Sequence, residues 1–139
     1  MTQLYSIVYV SSATRRLVPS DLDDILEGAR VNNRANGLTG LLLHSNGNFM
    51  QLLEGPLAAL EGALARIRAS TRHHQLIEFM REPIAVREFP EWSMGLSQAT
   101  APQFLALRTA SWKVPVAAEG AAQESAGREL LRQFWQNTR

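Results

Sequence analysis

The chain has no cysteine. Disulfides, thiolate nucleophiles and cysteine metal sites are therefore excluded, and a reducing compartment suits it. Lysine is nearly absent as well. Lys113 is the only one, so arginine carries almost all the basic charge. Arginine suits planar recognition of carboxylate and phosphate, although such usage also follows genomic base composition. Charge of one sign is lacking too: the formal net charge is +1. That leaves no electrostatic footprint for nucleic-acid or membrane-surface binding. No apolar run reaches the length of a membrane span. The N-terminal MTQLYSIVYVSS has neither the basic region nor the apolar core of a signal peptide. The expectation is a soluble cytoplasmic protein without nucleic-acid or membrane partners. His44, His73 and His74 lack metal-ligand spacing and accompanying carboxylates, so no metal site is expected. Ser11 and Ser12 lack a nucleophile-elbow context and read as turn residues.

A chain of 139 residues is long enough for one domain with a genuine core. Leu4 to Val10 is rich in β-branched and aromatic residues and reads as a strand. Its alternation places Tyr5, Ile7 and Tyr9 on one face. A helix follows from Pro19-Ser20, with Ser20 as N-cap and Asp21, Asp23 and Asp24 in the first turn. Leu22, Ile25, Leu26 and Ala29 form its apolar stripe, and it is expected to end near Asn32-Asn33. Thr39 to His44 reads as the second strand. Asn46-Gly47 is a strong hairpin signal. A two-residue loop there sets Leu42 opposite Gln51 and His44 opposite Phe49. Gly55-Pro56 ends the third strand, and Pro56 opens a second helix with Leu57, Leu60, Leu64 and Ile67 on its inner face. Gln75 to Ile84 and Trp92 to Ser97 read as the last two strands. The order β-α-β-β-α-β-β fits an α+β, ferredoxin-like sheet with both helices on one face. After it, Thr100 caps a short helix, and a last helix is expected from Ala121 to Asn137. Leu130, Leu131, Phe134 and Trp135 give that helix a bulky apolar patch.

One constellation stands out on this topology. Gln51 sits among Phe49, Met50, Leu52 and Leu53, and a buried primary amide is costly unless its donors and acceptor are met. Tyr9 lies on the adjacent strand. Asn32 and Asn33 stand at the mouth of the groove between the two helices, and Ile25 and Ile67 line its opposite walls. A flat heteroaromatic ring with edge carbonyls and an imide N–H suits such a groove, since each amide supplies both donors and an acceptor. Taken singly, each residue has a plainer reading: the asparagines cap a helix and Gln51 bonds a neighbouring backbone. Convergence on one groove favours the ligand.

These residues resemble a known family, the BLUF domain, a blue-light sensor that binds FAD. The resembling segments are IVYVSSA (Ile7 to Ala13), RVNN (Arg30 to Asn33), NGLTGLLL (Asn36 to Leu43), NGNFMQLLEGP (Asn46 to Pro56), RIRASTRHH (Arg66 to His74) and EWSMG (Glu91 to Gly95). They run in order and with matching spacing. The resemblance implies that Tyr9 is the photo-oxidisable tyrosine and that Gln51 bridges it to the flavin N5 and C4-carbonyl edge. It implies that Asn32 and Asn33 lie beside the ring, with Asn33 bonding it, and that Ile25 and Ile67 are its apolar walls. Arg66, Arg72 and His73 match positions near the ribityl and phosphate part. Trp92 and Met94 match two signalling residues that exchange places beside the glutamine. Ser70 departs from the acidic residue of many relatives, which puts contacts to the flavin tail in question. The implied event is light-driven transfer of an electron and then a proton from Tyr9. Gln51 ends rotated or tautomerised, with a stronger hydrogen bond at the C4 carbonyl.

On this reading residues 1–98 form the sensor, and residues 99–139 form a helical extension that caps, dimerises or docks a partner. The expected protein is not an enzyme. It carries FAD, with FMN or riboflavin also able to load, forms a homodimer or higher oligomer, and signals to a separate effector protein. Two alternatives remain open from the residues: a ferredoxin-like enzyme of acyl-phosphate hydrolase type, and a flavin-binding module without photoactivity.

Overall fold

The computed structural model describes residues 3–13, 19–69, 73–90, 95–112 and 125–138. Its elements run in the order β1 (Leu4–Ala13), α1 (Pro19–Asn36), β2 (Thr39–Ser45), β3 (Asn48–Pro56), α2 (Leu57–Ala69), β4 (His73–Ile84), β5 (Gly95–Gln98), α3 (Ala101–Thr109) and α4 (Ala126–Thr138). The chain divides into two compact units, Met1–Gln98 and Ala99–Arg139.

In the first unit the strands lie in the order β4-β1-β3-β2-β5. The β4/β1, β1/β3 and β3/β2 ladders are antiparallel, and β5 joins the edge of β2 in parallel. Each of the crossovers β1-α1-β2 and β3-α2-β4 therefore spans an intervening strand, which is the split βαβ arrangement of the ferredoxin-like fold. One apolar core joins Ile7, Tyr9, Leu42, Phe49 and Leu53 of the sheet to Leu26 of α1 and to Leu60, Ala63 and Leu64 of α2. Both helices thus cover the same face. Fully burying a side chain such as Ile7 or Leu60 contributes about 1.5–3 kcal/mol, so this face accounts for much of the fold's stability.

The hairpin follows its turn chemistry. Asn46 and Gly47 both have positive φ, 49° and 81°, as a two-residue turn between twisted strands requires. The register then sets Ser45 opposite Asn48, His44 opposite Phe49 and Leu42 opposite Gln51.

Helix α1 differs from the sequence-based expectation at both ends. It starts at Pro19, so Ser20 lies inside the first turn rather than capping it. It continues past Asn32-Asn33 to Asn36. Gly37 takes the left-handed conformation, φ 69°, and the Leu38 N–H donates to the Asn33 carbonyl at 2.8 Å. This is a Schellman ending, in which the glycine and not the asparagine pair stops the helix. The Asn36 amide donates to the Asn32 carbonyl at 2.8 Å and holds the last turn. Strand β4 begins at His73, two residues before its expected start. Its ladder with β1 shifts register between Val8 and Tyr9, because Met80 and Glu78 face those two residues and Phe79 is left over. Such a bulge bends a strand and re-aims its neighbours.

In the second unit Thr100 forms a capping box with Gln103, and Pro102 sits in the first turn of α3. The Trp112 indole donates to the Leu107 carbonyl at 3.0 Å. Its ring lies against Gly127, where an added Cβ would run into it. Ser125 accepts from the Arg128 N–H at 3.1 Å at the start of α4. The expected start of this helix at Ala121 lies outside the described residues, and α4 is described from Ala126.

Candidate functional site

Helices α1 and α2 and the sheet beneath them enclose a cavity of about 240 Å³. Its lining follows the periodicities of these elements. Asp24, Gly28 and Asn32 recur every four residues on α1, as do Ile25, Ala29 and Asn33; Ala63, Arg66 and Ile67 are i, i+3 and i+4 on α2. Leu42, Gln51 and Leu53 come from β2 and β3. Ile25 and Ile67 thus stand on opposite helices. Three primary amides, Asn32, Asn33 and Gln51, border one space. Asn33 and Gln51 are buried, at 3 % and 8 % exposure, whereas Asn32 and Arg66 reach solvent.

Tyr9 and Gln51 are direct partners in the β1/β3 ladder, so their side chains project from the same face. No β1 residue is among the cavity-lining residues; among the described residues, the sheet contributes to the lining through β2 and β3. Gln51 is therefore the polar group between the Tyr9 strand and the cavity. Tyr9 is 1 % exposed, and its hydroxyl has no hydrogen-bond partner among the described residues. A buried hydroxyl left in that state costs about 1–3 kcal/mol. Burial also pushes the Tyr9 phenol well above the ordinary value of 10.0, because the charged form is the one that loses hydration. The resting side chain is a neutral phenol that keeps its proton.

The donor set fits a planar heterocycle. Two apolar walls can hold its faces, amides can meet carbonyls and an imide N–H at its edge, and an arginine stands at the rim. Tyr9, with its buried hydroxyl, is the cross-strand neighbour of Gln51, one of the three amides that border the cavity.

Of the residues expected at this site, Tyr9, Ile25, Asn32, Asn33, Gln51, Arg66 and Ile67 come together in or next to the cavity. His73 opens β4 opposite Ala13, and its side chain lies outside the description. Arg72, Ser70, Trp92 and Met94 lie outside the described residues. Asp24, Gly28 and Ala63 were not singled out from the sequence as lining residues. The helical spacing from Ile25 and Ile67 was the available signal.

Comparison with known proteins agrees with this geometry. The family model "BLUF: Sensors of blue-light using FAD" matches residues 4–95. A photoactivated adenylate cyclase subunit beta of Euglena gracilis is 38% identical over 94 residues, covering 67% of this chain and 11% of the relative. The chain thus spans only about a tenth of the curated relatives it matches. Among solved structures, the BLUF protein BlrB in its dark state superposes with a TM-score of 0.65 at 37% identity, covering 70% of this chain and 74% of that one. Klebsiella pneumoniae BlrP1, solved with FMN and cyclic diGMP, gives a TM-score of 0.63 at 29% identity over 93% of this chain and 30% of that chain. No helix among the described residues is long and apolar enough to cross a membrane. The matched segment holds the whole amide-lined cavity, and the chain belongs to the BLUF family of flavin-dependent blue-light sensors.

Proposed function

We propose that this chain is a blue-light photoreceptor whose switch is the Tyr9–Gln51 pair and whose output passes to a separate partner protein. The observation that carries the reading is the cross-strand pairing of Tyr9, whose buried hydroxyl has no hydrogen-bond partner among the described residues, with Gln51 on the cavity wall. Bound flavin supplies a ring that absorbs blue light and, once excited, is a strong oxidant. Ile25 and Ile67 would hold the ring faces, and Asn32 and Asn33 would orient its edge. Arg66, together with Arg72 and His73, is assigned to the ribityl and phosphate part. Tyr9 would supply an electron and then its Oη proton to the excited ring, which accepts both. The Gln51 amide rotates or tautomerises, which exchanges a donor for an acceptor. Tyr9 would then recover both from the ring, leaving Gln51 as the amide whose donor and acceptor have changed places at the ring's edge. Trp92 and Met94, just before β5, are assigned to carry the change outward.

FAD is the cofactor we assign. FMN and riboflavin also suit a site whose amides grip mainly the ring. Residues 1–98 act as the sensor and 99–139 as the extension that dimerises or docks the effector in the cytoplasm. The purified protein is expected to be yellow, with oxidised flavin bound non-covalently, since no cysteine is available for a thiol adduct. Absorption spectra recorded dark and lit test the reading. A small, reversible red shift is expected. Protein that takes up no added FAD, or holds it without any shift, would overturn it.

A further inference from the structure

Outside the cavity, a dense hydrogen-bonded cluster in the first unit surrounds Glu54, which is 0 % exposed. Its carboxylate accepts from the Glu88 N–H at 2.8 Å and the Phe89 N–H at 2.9 Å. The Thr39 hydroxyl donates to it at 3.4 Å. Arg87 completes the cluster without touching that carboxylate. Its Nη1 donates to Thr39 Oγ1 at 3.0 Å and to the Glu54 backbone carbonyl at 2.9 Å. Its Nη2 donates to the Gly37 carbonyl at 2.6 Å. A rigid, planar guanidinium is suited to such a three-way fastening, whereas a lysine is a point charge on a flexible stem.

The three anchors matter because of what precedes them. Gly37 is the residue that ends α1, four positions after Asn33, and Leu38 bonds the Asn33 carbonyl. Glu54 follows Gln51 by three positions on β3. Arg87 therefore ties the end of the helix that carries the two asparagines to the strand that carries the glutamine. A ring bonded to Asn33 and Gln51 spans the same two elements from inside the cavity. Two cross-links between the same two bodies reinforce each other, because each removes motion that the other would otherwise have to freeze.

We propose that Arg87 and Glu54 form a clamp that positions the asparagine-bearing end of α1 against the strand that carries Gln51, so that clamp closure and flavin occupancy favour one another. This inference rests on the flavin-binding reading above. Coupling between two sites is reciprocal. FAD must then protect the clamp, and opening the clamp must weaken FAD.

The test uses the full chain, stripped of cofactor and titrated with FAD, together with hydrogen exchange at the Glu88 and Phe89 amides. In the wild type, FAD is expected to slow exchange at both amides several-fold. Arg87→Met is expected to weaken FAD binding by about tenfold, within the usual range of such couplings, and to abolish the protection. Arg87→Lys should recover part of both. Glu54→Gln keeps the side-chain volume but turns one acceptor into a donor facing an N–H, so it tests the clamp even where Arg87→Met fails to fold. Arg81→Met is the control. It removes an exposed arginine network with Glu61 and Glu78 that touches neither anchor, and it should leave affinity and exchange unchanged. A wild type that binds FAD with no change at Glu88 and Phe89, or clamp variants with wild-type affinity, would overturn the clamp alone. A wild type that binds no FAD would overturn the functional reading and the clamp with it.

Discussion

Replacing Tyr9 by phenylalanine deletes a hydroxyl that has no hydrogen-bond partner to lose among the described residues. Removing one member of an ordinary buried hydrogen bond costs about 0.5–1.5 kcal/mol, whereas removing an unmet buried hydroxyl is neutral or stabilising. The cofactor-free Tyr9→Phe protein is therefore expected to melt at or above the wild-type temperature. With flavin loaded, it should keep its colour and lose the light-induced red shift, because phenylalanine is a poor electron donor and has no phenolic proton. Gln51→Leu should likewise bind flavin without the shift. A normal shift in either variant, read as a light-minus-dark spectrum, would remove that residue from the switch. The same burial gives a pH dependence of definite sign. The Tyr9 phenol is raised above 10.0 in the folded chain, so the unfolded chain loses that proton first. Stability from this group is constant below about pH 10 and falls as pH rises beyond it. Denaturant midpoints measured upward from pH 9 should fall less steeply in Tyr9→Phe than in the wild type. That Tyr9 and Gln51 lie on adjacent strands was legible in the sequence, and strand alternation with the Asn46-Gly47 turn fixed the face of Gln51; their direct pairing in the β1/β3 register was not legible. That the Tyr9 hydroxyl is unpartnered was not, since hydrogen-bond satisfaction depends on every neighbouring element at once.

Helix α1 illustrates why the sheet elements were easier to read than the ends of the helices. Its apolar stripe is periodic and plain, but its end depends on one backbone conformation at Gly37. The asparagine pair offered a competing stop signal, and the Schellman hydrogen bond from Leu38 to Asn33 prevailed. A residue with a Cβ pays a steric penalty of about 1–2 kcal/mol in the left-handed region, from which asparagine is partly exempt. Gly37→Ala should therefore lower the thermal midpoint and Gly37→Asn should restore most of it. Equal melting of all three proteins would show that the glycine conformation contributes nothing. The bulge at Phe79 had no glycine to announce it, and the split of β4 around it emerges only from its pairing with β1. The Glu54–Arg87 cluster was hidden for a related reason. Its members lie far apart in sequence, and the Gly55-Pro56 signal that closes the strand draws no notice to the carboxylate beside it. His44 gives an element-level test at the other end of the sheet. It bonds Gln98 of β5 through Nδ1 at 3.0 Å and accepts from the Gly47 N–H through Nε2 at 3.1 Å. It also stacks on Phe49, with ring centroids 5.1 Å apart. His44→Phe keeps the stacking and removes both bonds, so faster hydrogen exchange is expected in β5 than in β3. Equal exchange in the two strands would count against this fastening role.

At the scale of the whole chain, every residue that lines the cavity belongs to Met1–Gln98, and the family match ends at residue 95. The described cavity lining and the family match thus both lie before α3. The second unit has its own internal order. Leu131 and Trp135 are buried, the Trp112 ring lies against the Gly127 backbone, and the Gly127 N–H donates to the Ser111 carbonyl at 2.7 Å. From the sequence, the apolar patch of Leu130, Leu131, Phe134 and Trp135 was legible as a surface that must be covered, but periodicity names a face and not its occupant. Ending the chain before Gly120 deletes α4 and leaves Trp112 without the helix it packs against. The shortened protein is expected to take up flavin with the same dark spectrum, because no lining residue is lost. It should also melt at lower temperature or change its oligomeric state, because apolar surface buried in the full chain becomes exposed. Absorption spectroscopy, a thermal melt and size-exclusion chromatography with light scattering on the same preparation separate the two effects. Loss of flavin from a well-folded truncated protein would show that the extension contributes to the site. An unchanged melting temperature with an unchanged oligomeric state would show that α4 is dispensable for both, leaving partner docking as the role to be tested for it.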